Sequence, residues 1–329
     1  LRAARGFEIE RNLRDPALEL LRTGEKSVIE SPLYAEALIA FYGGDLEKAL
    51  AATSEAFSAE EWLYEAKALE GDILVEMGAR MRLNGQTEGA LESLDHANSA
   101  YALAAEIARS DPSVYEGQCG LWTQALEIRS RRGETVVEPF DSAVSACERA
   151  LRIDPERAQV HERLSHLYWR WADIVNDRGG DADAFLRQSI ASADRAIELN
   201  PESVPAYVTR GGALTVSARG RESRGDDPRE ILQSAIRSFE NAIAIDPGFV
   251  LSHDDLGYAW ERTASYEMTI GIDPRPGLDR AVAAFRRAIQ LNPAYANAYN
   301  NSGIALWRRG LYVYRTGFDS GPTLSEAIA

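Results

Sequence analysis

The residues able to do chemistry are few and poorly spaced for it. His161 and His166 stand five apart, not the three or four that would put two imidazoles on one metal from one helical face. Asp254-Asp255 and Glu60-Glu61 are adjacent acids on different faces of a helix, where a solvated face is the ordinary reading. Cys119 and Cys147 have no metal spacing with the four histidines and are too few for a disulfide framework. Buried free thiols are the expectation, with a single bridge left open. There is no Gly-rich phosphate loop, HExxH, CxxC or G-x-S-x-G. No catalytic residue, metal or cofactor is therefore expected, and an enzyme with a site formed between helices stands only as a second alternative.

What does recur is structural. Pro155, Pro201, Pro247 and Pro293 are spaced by 46, each follows Asp or Asn, and each closes a helix-like run such as RAIELNP or RAIQLNP. A fixed period of this size marks a solenoid. At an equally fixed offset lie Gly179-Gly180-Asp181, Gly225-Asp226-Asp227-Pro228, Gly271-Ile272-Asp273-Pro274 and Gly317-Phe318-Asp319-Ser320. Gly in a left-handed conformation stops one helix, Asp caps the next, and Pro fits its first position. Leu186, Leu232, Leu278 and Leu324 follow five residues after the Asp, placed to tack each tip down. One carboxylate per tip is too few for a cation loop.

The residues between these marks resemble the tetratricopeptide repeat. After Pro247 come His253, Leu256-Gly257, Trp260, Ala281, Phe285 and Ala288; after Pro201 come Tyr207, Gly211, Leu214, Ala235, Phe239 and Ala242. The resemblance implies an all-α, right-handed α-solenoid of antiparallel helix pairs, a tetratricopeptide-like superhelix. Small residues let the paired helices approach, and a bulky residue at Gly257 should force them apart. The expected units are 30–61, 62–112, 113–155, 156–201, 202–247 and 248–293, with a partial 294–329 after an N-terminal helical segment at 1–29. The first is near the standard 34 residues. The extra twelve in the 46-residue units should lengthen both arms of each hairpin by about six residues, roughly 9 Å.

In that family the first helix of each unit lines a concave groove that holds a peptide. The positions this implies are Gln159, Arg163, His166, Trp169, Arg170, Thr209, Asp255, Tyr258, Arg262, Asn297, Asn300, Asn301, Ile304, Trp307 and Arg308. The alternative for Trp169 and Trp307 is packing against neighbouring first helices. The terminal-carboxylate clamp of some members is not carried over, because Asp254-Asp255 adjoin Asn301 and Arg308 and no Lys is present there. A narrower resemblance links the Gly271–Pro276 tip and the long units to the C-terminal repeat regions of bacterial serine/threonine protein kinases. It implies a regulatory arm of a signalling protein, with any kinase domain outside this chain.

Composition agrees with an interaction scaffold. Apolar residues at 45 % and charged ones at 26 % suffice for a buried core. A net charge of −15 opposes nucleic acid and anionic membrane as partners, and no apolar run is long enough for membrane insertion. The expected partner is a protein or peptide, with self-association through the solenoid ends as the alternative. The chain reads as a piece of a longer protein and as a soluble domain, with cytoplasm the favoured compartment.

Overall fold

Each Asx-Pro mark becomes the same turn in the computed structural model. The side chains of Asp154, Asn200, Asp246 and Asn292 each accept a hydrogen bond from the backbone N–H two residues on, at 3.0–3.2 Å. The intervening proline has no N–H to leave unsatisfied, so the turn closes at the end of one helix and the next begins after four connecting residues. His161 and His253 reach back to the same turns, each placing Nε2 3.0 Å from the carbonyl oxygen of Pro155 or Pro247. His253 is buried, which holds its pKa below the ordinary histidine value. His161 is only half-buried, short of the packed core residue expected there.

The structure describes residues 18–19, 31–317, 321 and 325. The expected helical segment 1–29 therefore lies almost wholly outside the described residues, as do Phe318, Asp319, Ser320, Leu324 and the end of the partial last unit.

Thirteen helices are described between residues 31 and 317, joined by short turns: α1 Pro32–Gly43, α2 Leu46–Ala59, α3 Tyr64–Leu83, α4 Thr87–Ile107, α5 Pro112–Arg131, α6 Val137–Ile153, α7 Ala158–Asp177, α8 Asp183–Leu199, α9 Val204–Ser223, α10 Arg229–Ile245, α11 Val250–Thr269, α12 Arg275–Leu291 and α13 Ala296–Arg315. They form two compact units, one reaching to Arg163 and the other starting at Leu164. In the first, α1–α2, α3–α4 and α5–α6 are packed pairs; in the second, α9–α10 and α11–α12 are, and α13 packs on α12.

The two helices of a pair bury different amounts. α10 has one stripe, Leu232, Ala235, Ile236, Phe239 and Ala242, and α12 repeats it with Leu278, Ala281, Val282, Phe285 and Ala288. That spacing is one face of a helix whose other face meets water. α9 instead buries Ala206, Thr209, Gly211, Ala213, Leu214, Thr215, Val216 and Ala218, which surround its axis. It is enclosed because it packs on α8, on its own partner α10 and on the next first helix, α11.

The tips follow the expected chemistry with one shift. Gly179, Gly225, Gly271 and Gly317 all have φ between 75° and 85°, a region where a Cβ is strained. Asp181, Asp227 and Asp273 each accept from the backbone N–H two residues on. Pro228 and Pro274 stand immediately before the first helical residue rather than on it, already with helical backbone angles. Leu186, Leu232 and Leu278 are buried beneath the tips as expected.

The added length is not shared equally between the arms. From α1 to α9 the first helix grows from 12 to 20 residues, and from α2 to α10 the second grows from 14 to 17. At 1.5 Å per residue, the first helix takes about 12 Å and the second about 4–5 Å. The tip turn absorbs part of the difference.

The cysteines correct the expectation of free thiols. Cys119 on α5 and Cys147 on α6 are joined by a disulfide with Cα atoms 5.1 Å apart. Both are fully buried, as expected, but neither is free.

Candidate functional site

The first helices were expected to present a groove, and their enclosure decides how much of it remains open. Thr209, at the sixth position of α9, is buried. Trp169 on α7 lies against Gly212 of α9, whose absent Cβ would meet the indole at 2.9 Å. It therefore packs on the neighbouring first helix, with its Nε1 atom buried and lacking a hydrogen-bond acceptor. His166 meets Trp169 edge-on, and Arg170 lies over the same indole while pairing with Asp173 at 3.2 Å.

In the second unit Arg262 and Arg308, both expected to line the groove, are engaged between first helices. Arg262 of α11 is paired with Glu222 of α9. Arg308 of α13 reaches back to α11, placing Nε 2.5 Å from Glu261 Oε1 and donating from Nη1 to Ser265 Oγ at 2.9 Å. Glu261 is buried, and burial raises its carboxyl pKa against the opposing pull of Arg308. In the first unit, Arg163 remains mostly exposed and 3.7 Å from Glu116, while Gln159 is exposed at the start of α7.

A polar group sits between α11 and α13. Buried Asp254 accepts from Tyr295 Oη at 3.2 Å and from Asn301 Nδ2 at 3.1 Å. These donors pull its pKa down, but burial outweighs them and leaves it raised. Next to it, half-buried Asp255 has its carboxyl pushed up to about 7, mainly by burial and further by the charge of Asp254. Tyr258 is half-buried against the α12–α13 core.

Several of the expected groove positions that are exposed lie on α13, the last helix among the described residues. Asn297 and Asn300 are exposed, Ile304 is 39 % exposed and Trp307 is 52 % exposed. Tyr299 and Tyr314 on the same helix, which sequence reasoning did not select, are 51 % and 70 % exposed. Tyr299 has the register of His253, whose place in the pattern reads as core, so its sequence position concealed its exposure.

A cleft of about 1010 Å³ opens at the tip beside α10 and α11. Its walls include Arg221, Arg224, Arg280, Asp226, Glu230 and Trp260, with Arg280 stacked 4.5 Å from the indole. The charges balance, so the cleft has no strong preference of sign. Among the described residues no His, Cys, Asp and Glu group could hold a metal ion, and no helix is long and apolar enough to cross a membrane.

Paired helices held at small-residue contacts, with an enclosed first helix and a one-sided second, define an all-α, tetratricopeptide-like fold. Residues 278–310 match the family model described as TPR repeat. No curated protein matches the sequence. Among solved structures, the APC/C hetero-tetramer Cut9-Hcn1 is 11 % identical with a TM-score of 0.55, covering 91 % of this chain and 47 % of that one. This likeness concerns the fold alone. A tetratricopeptide repeat protein from Parabacteroides merdae is 16 % identical, covering 90 % and 98 %, with a TM-score of 0.49. YrrB, titled a TPR protein with an unusual peptide-binding site, is 16 % identical, covering 76 % and 96 %, with a TM-score of 0.39.

Proposed function

We propose that this chain is a non-catalytic protein- or peptide-binding scaffold built from the units 30–61, 62–112, 113–155, 156–201, 202–247, 248–293 and the partial 294–329. The observation that carries the reading is the division of labour along the first helices. Trp169, Arg262 and Arg308 are spent on contacts between first helices and Thr209 is buried, whereas Asn297, Asn300, Ile304 and Trp307 of α13, the last helix among the described residues, meet solvent. An exposed Trp and Ile flanked by amides supply apolar area and directional hydrogen bonds, the combination that concentrates binding energy at interfaces. The finer reading is a regulatory or sensing arm of a bacterial signalling protein such as a serine/threonine kinase. It rests on the Gly271–Pro276 tip and the long units.

The chain immobilised and screened against a peptide library tests the site. Trp307→Ala should weaken the selected peptides about tenfold or more while the helical spectrum is unchanged. Equal binding by the variant would remove α13 as the site. Loss of concentration-dependent self-association in the same variant would favour an assembly surface instead.

A further inference from the structure

Cys119 is the eighth residue of α5 and Cys147 the eleventh of α6. In the second unit those same positions are Gly211 and Phe239, then Gly257 and Phe285. There the phenylalanine ring fills the space left by the glycine, so closely that a Cβ on either glycine would meet it at 2.5–2.6 Å. The cysteine pair therefore occupies the contact that sets helix separation elsewhere, with the same separation in sequence.

Two cysteines are a poor non-covalent substitute. Together they offer far less contact area than a buried Phe, and nothing in two small side chains fixes the distance between helices. A bond does fix it. These are also the only two cysteines in the chain, both fully buried and on facing helices with Cα atoms at a separation that disulfides use. The surrounding pair is otherwise well closed: Tyr115 of α5 is buried, with Arg149 of α6 stacked 4.3 Å from its ring.

We infer that the chain matures in an oxidising compartment, where a Cys119–Cys147 disulfide replaces the Gly–Phe contact as the device that sets the spacing of α5 and α6. The compartment follows because structural disulfides form and persist where thiols are not kept reduced; it is not the cytoplasm that the sequence favours. The bond forms by thiol–disulfide exchange with an oxidised dithiol oxidoreductase. One cysteine thiolate attacks the oxidant's disulfide and displaces one of its thiolates. The second cysteine then attacks the mixed disulfide, releasing the oxidant as its two-electron-reduced dithiol, the two protons of the cysteine thiols ending on the oxidant's sulfurs. Burial then makes the bond a lasting staple rather than a regulatory switch.

Protein isolated from its native source under acid quench should take up no thiol alkylating agent in denaturant, and two equivalents after reduction. Two free thiols before reduction, or recovery of the chain from the cytosolic fraction, would overturn the inference. The staple is tested separately by heat. Cys119→Ala/Cys147→Ala should lower Tm by roughly 5–10 °C, whereas an unchanged Tm would show that the bond does not set the spacing. Should that variant fail to fold, Cys119→Gly/Cys147→Phe decides: it restores the contact used in the second unit and should melt cooperatively, with no response to reductant. A double variant that stays unfolded would refute the equivalence of the two contacts.

Discussion

Phe285 occupies the volume that a side chain on Gly257 would need: a Cβ there would lie 2.6 Å from ring atom Cε1. Both residues are buried, and the contact joins α11 to α12 at the middle of their pair. Gly257→Val should cost about 2–3 kcal/mol through forced displacement of the ring. Phe285→Ala should cost about 3–5 kcal/mol through loss of burial and the cavity left behind. Combined, the two should cost less than their sum, because the valine fills space that the alanine vacates. Urea melts of the four proteins measure the coupling; strict additivity would mean the two residues do not share that space.

This contact shows what the sequence can reveal. Gly257, Phe285 and the Asx-Pro turns repeat because every pair needs the same closure, so spacing alone exposes them. The groove was harder to read for an opposite reason. Arg262 and Arg308 have the composition of a binding surface, yet each is held by a carboxylate on the preceding first helix. Those acids, Glu222 and Glu261, lie 40 and 47 residues back, and no local pattern connects them. The disulfide was equally hidden, since 28 residues between cysteines acquires meaning only when compared with the Gly–Phe separation in other pairs.

Arg308 and Glu261 provide a test of whether α13 is held by charge or merely decorated by it. Arg308→Ala leaves the Glu261 carboxylate buried without its cation, so a loss of about 3–5 kcal/mol is expected. Arg308→Ala/Glu261→Gln removes the uncompensated charge and should recover much of that loss. The readout is denaturant unfolding together with hydrogen exchange of α13 amides. No recovery in the double variant would mean that Arg308 acts through something other than Glu261.

Adjacent glycines at the first tip carry opposite expectations. Gly44 has φ +86°, whereas Gly43 is the last residue of α1, with ordinary helical handedness and open space where a Cβ would project. Gly43→Ala should stabilise by about 0.5–1 kcal/mol by restricting the unfolded chain. Gly44→Ala should destabilise by about 1 kcal/mol or more, since an L side chain is strained there. Thermal melts of the two single variants check the sign, and two changes of the same sign would contradict the helix stop placed at Gly44.

Asp255 predicts a pH dependence with a definite direction. Its carboxyl is pushed up to about 7 in the fold, by burial first and by Asp254 second, against about 3.9 in an unfolded chain. Between those values the folded state holds a proton that the unfolded state has lost, so unfolding releases protons and this group's contribution to stability falls as pH rises from about 4 to about 7. Above pH 7 the full cost of a buried charge is present; below pH 4 it is gone. Asp255→Asn keeps the shape without the charge. It should therefore exceed the parent in stability at pH 8 by on the order of 2 kcal/mol, a figure trimmed because part of the side chain still meets water. The two proteins should converge toward pH 4. Urea melts at pH 4, 6 and 8 measure the gap, and a gap that stays constant across that range would mean Asp255 titrates as an ordinary surface carboxylate.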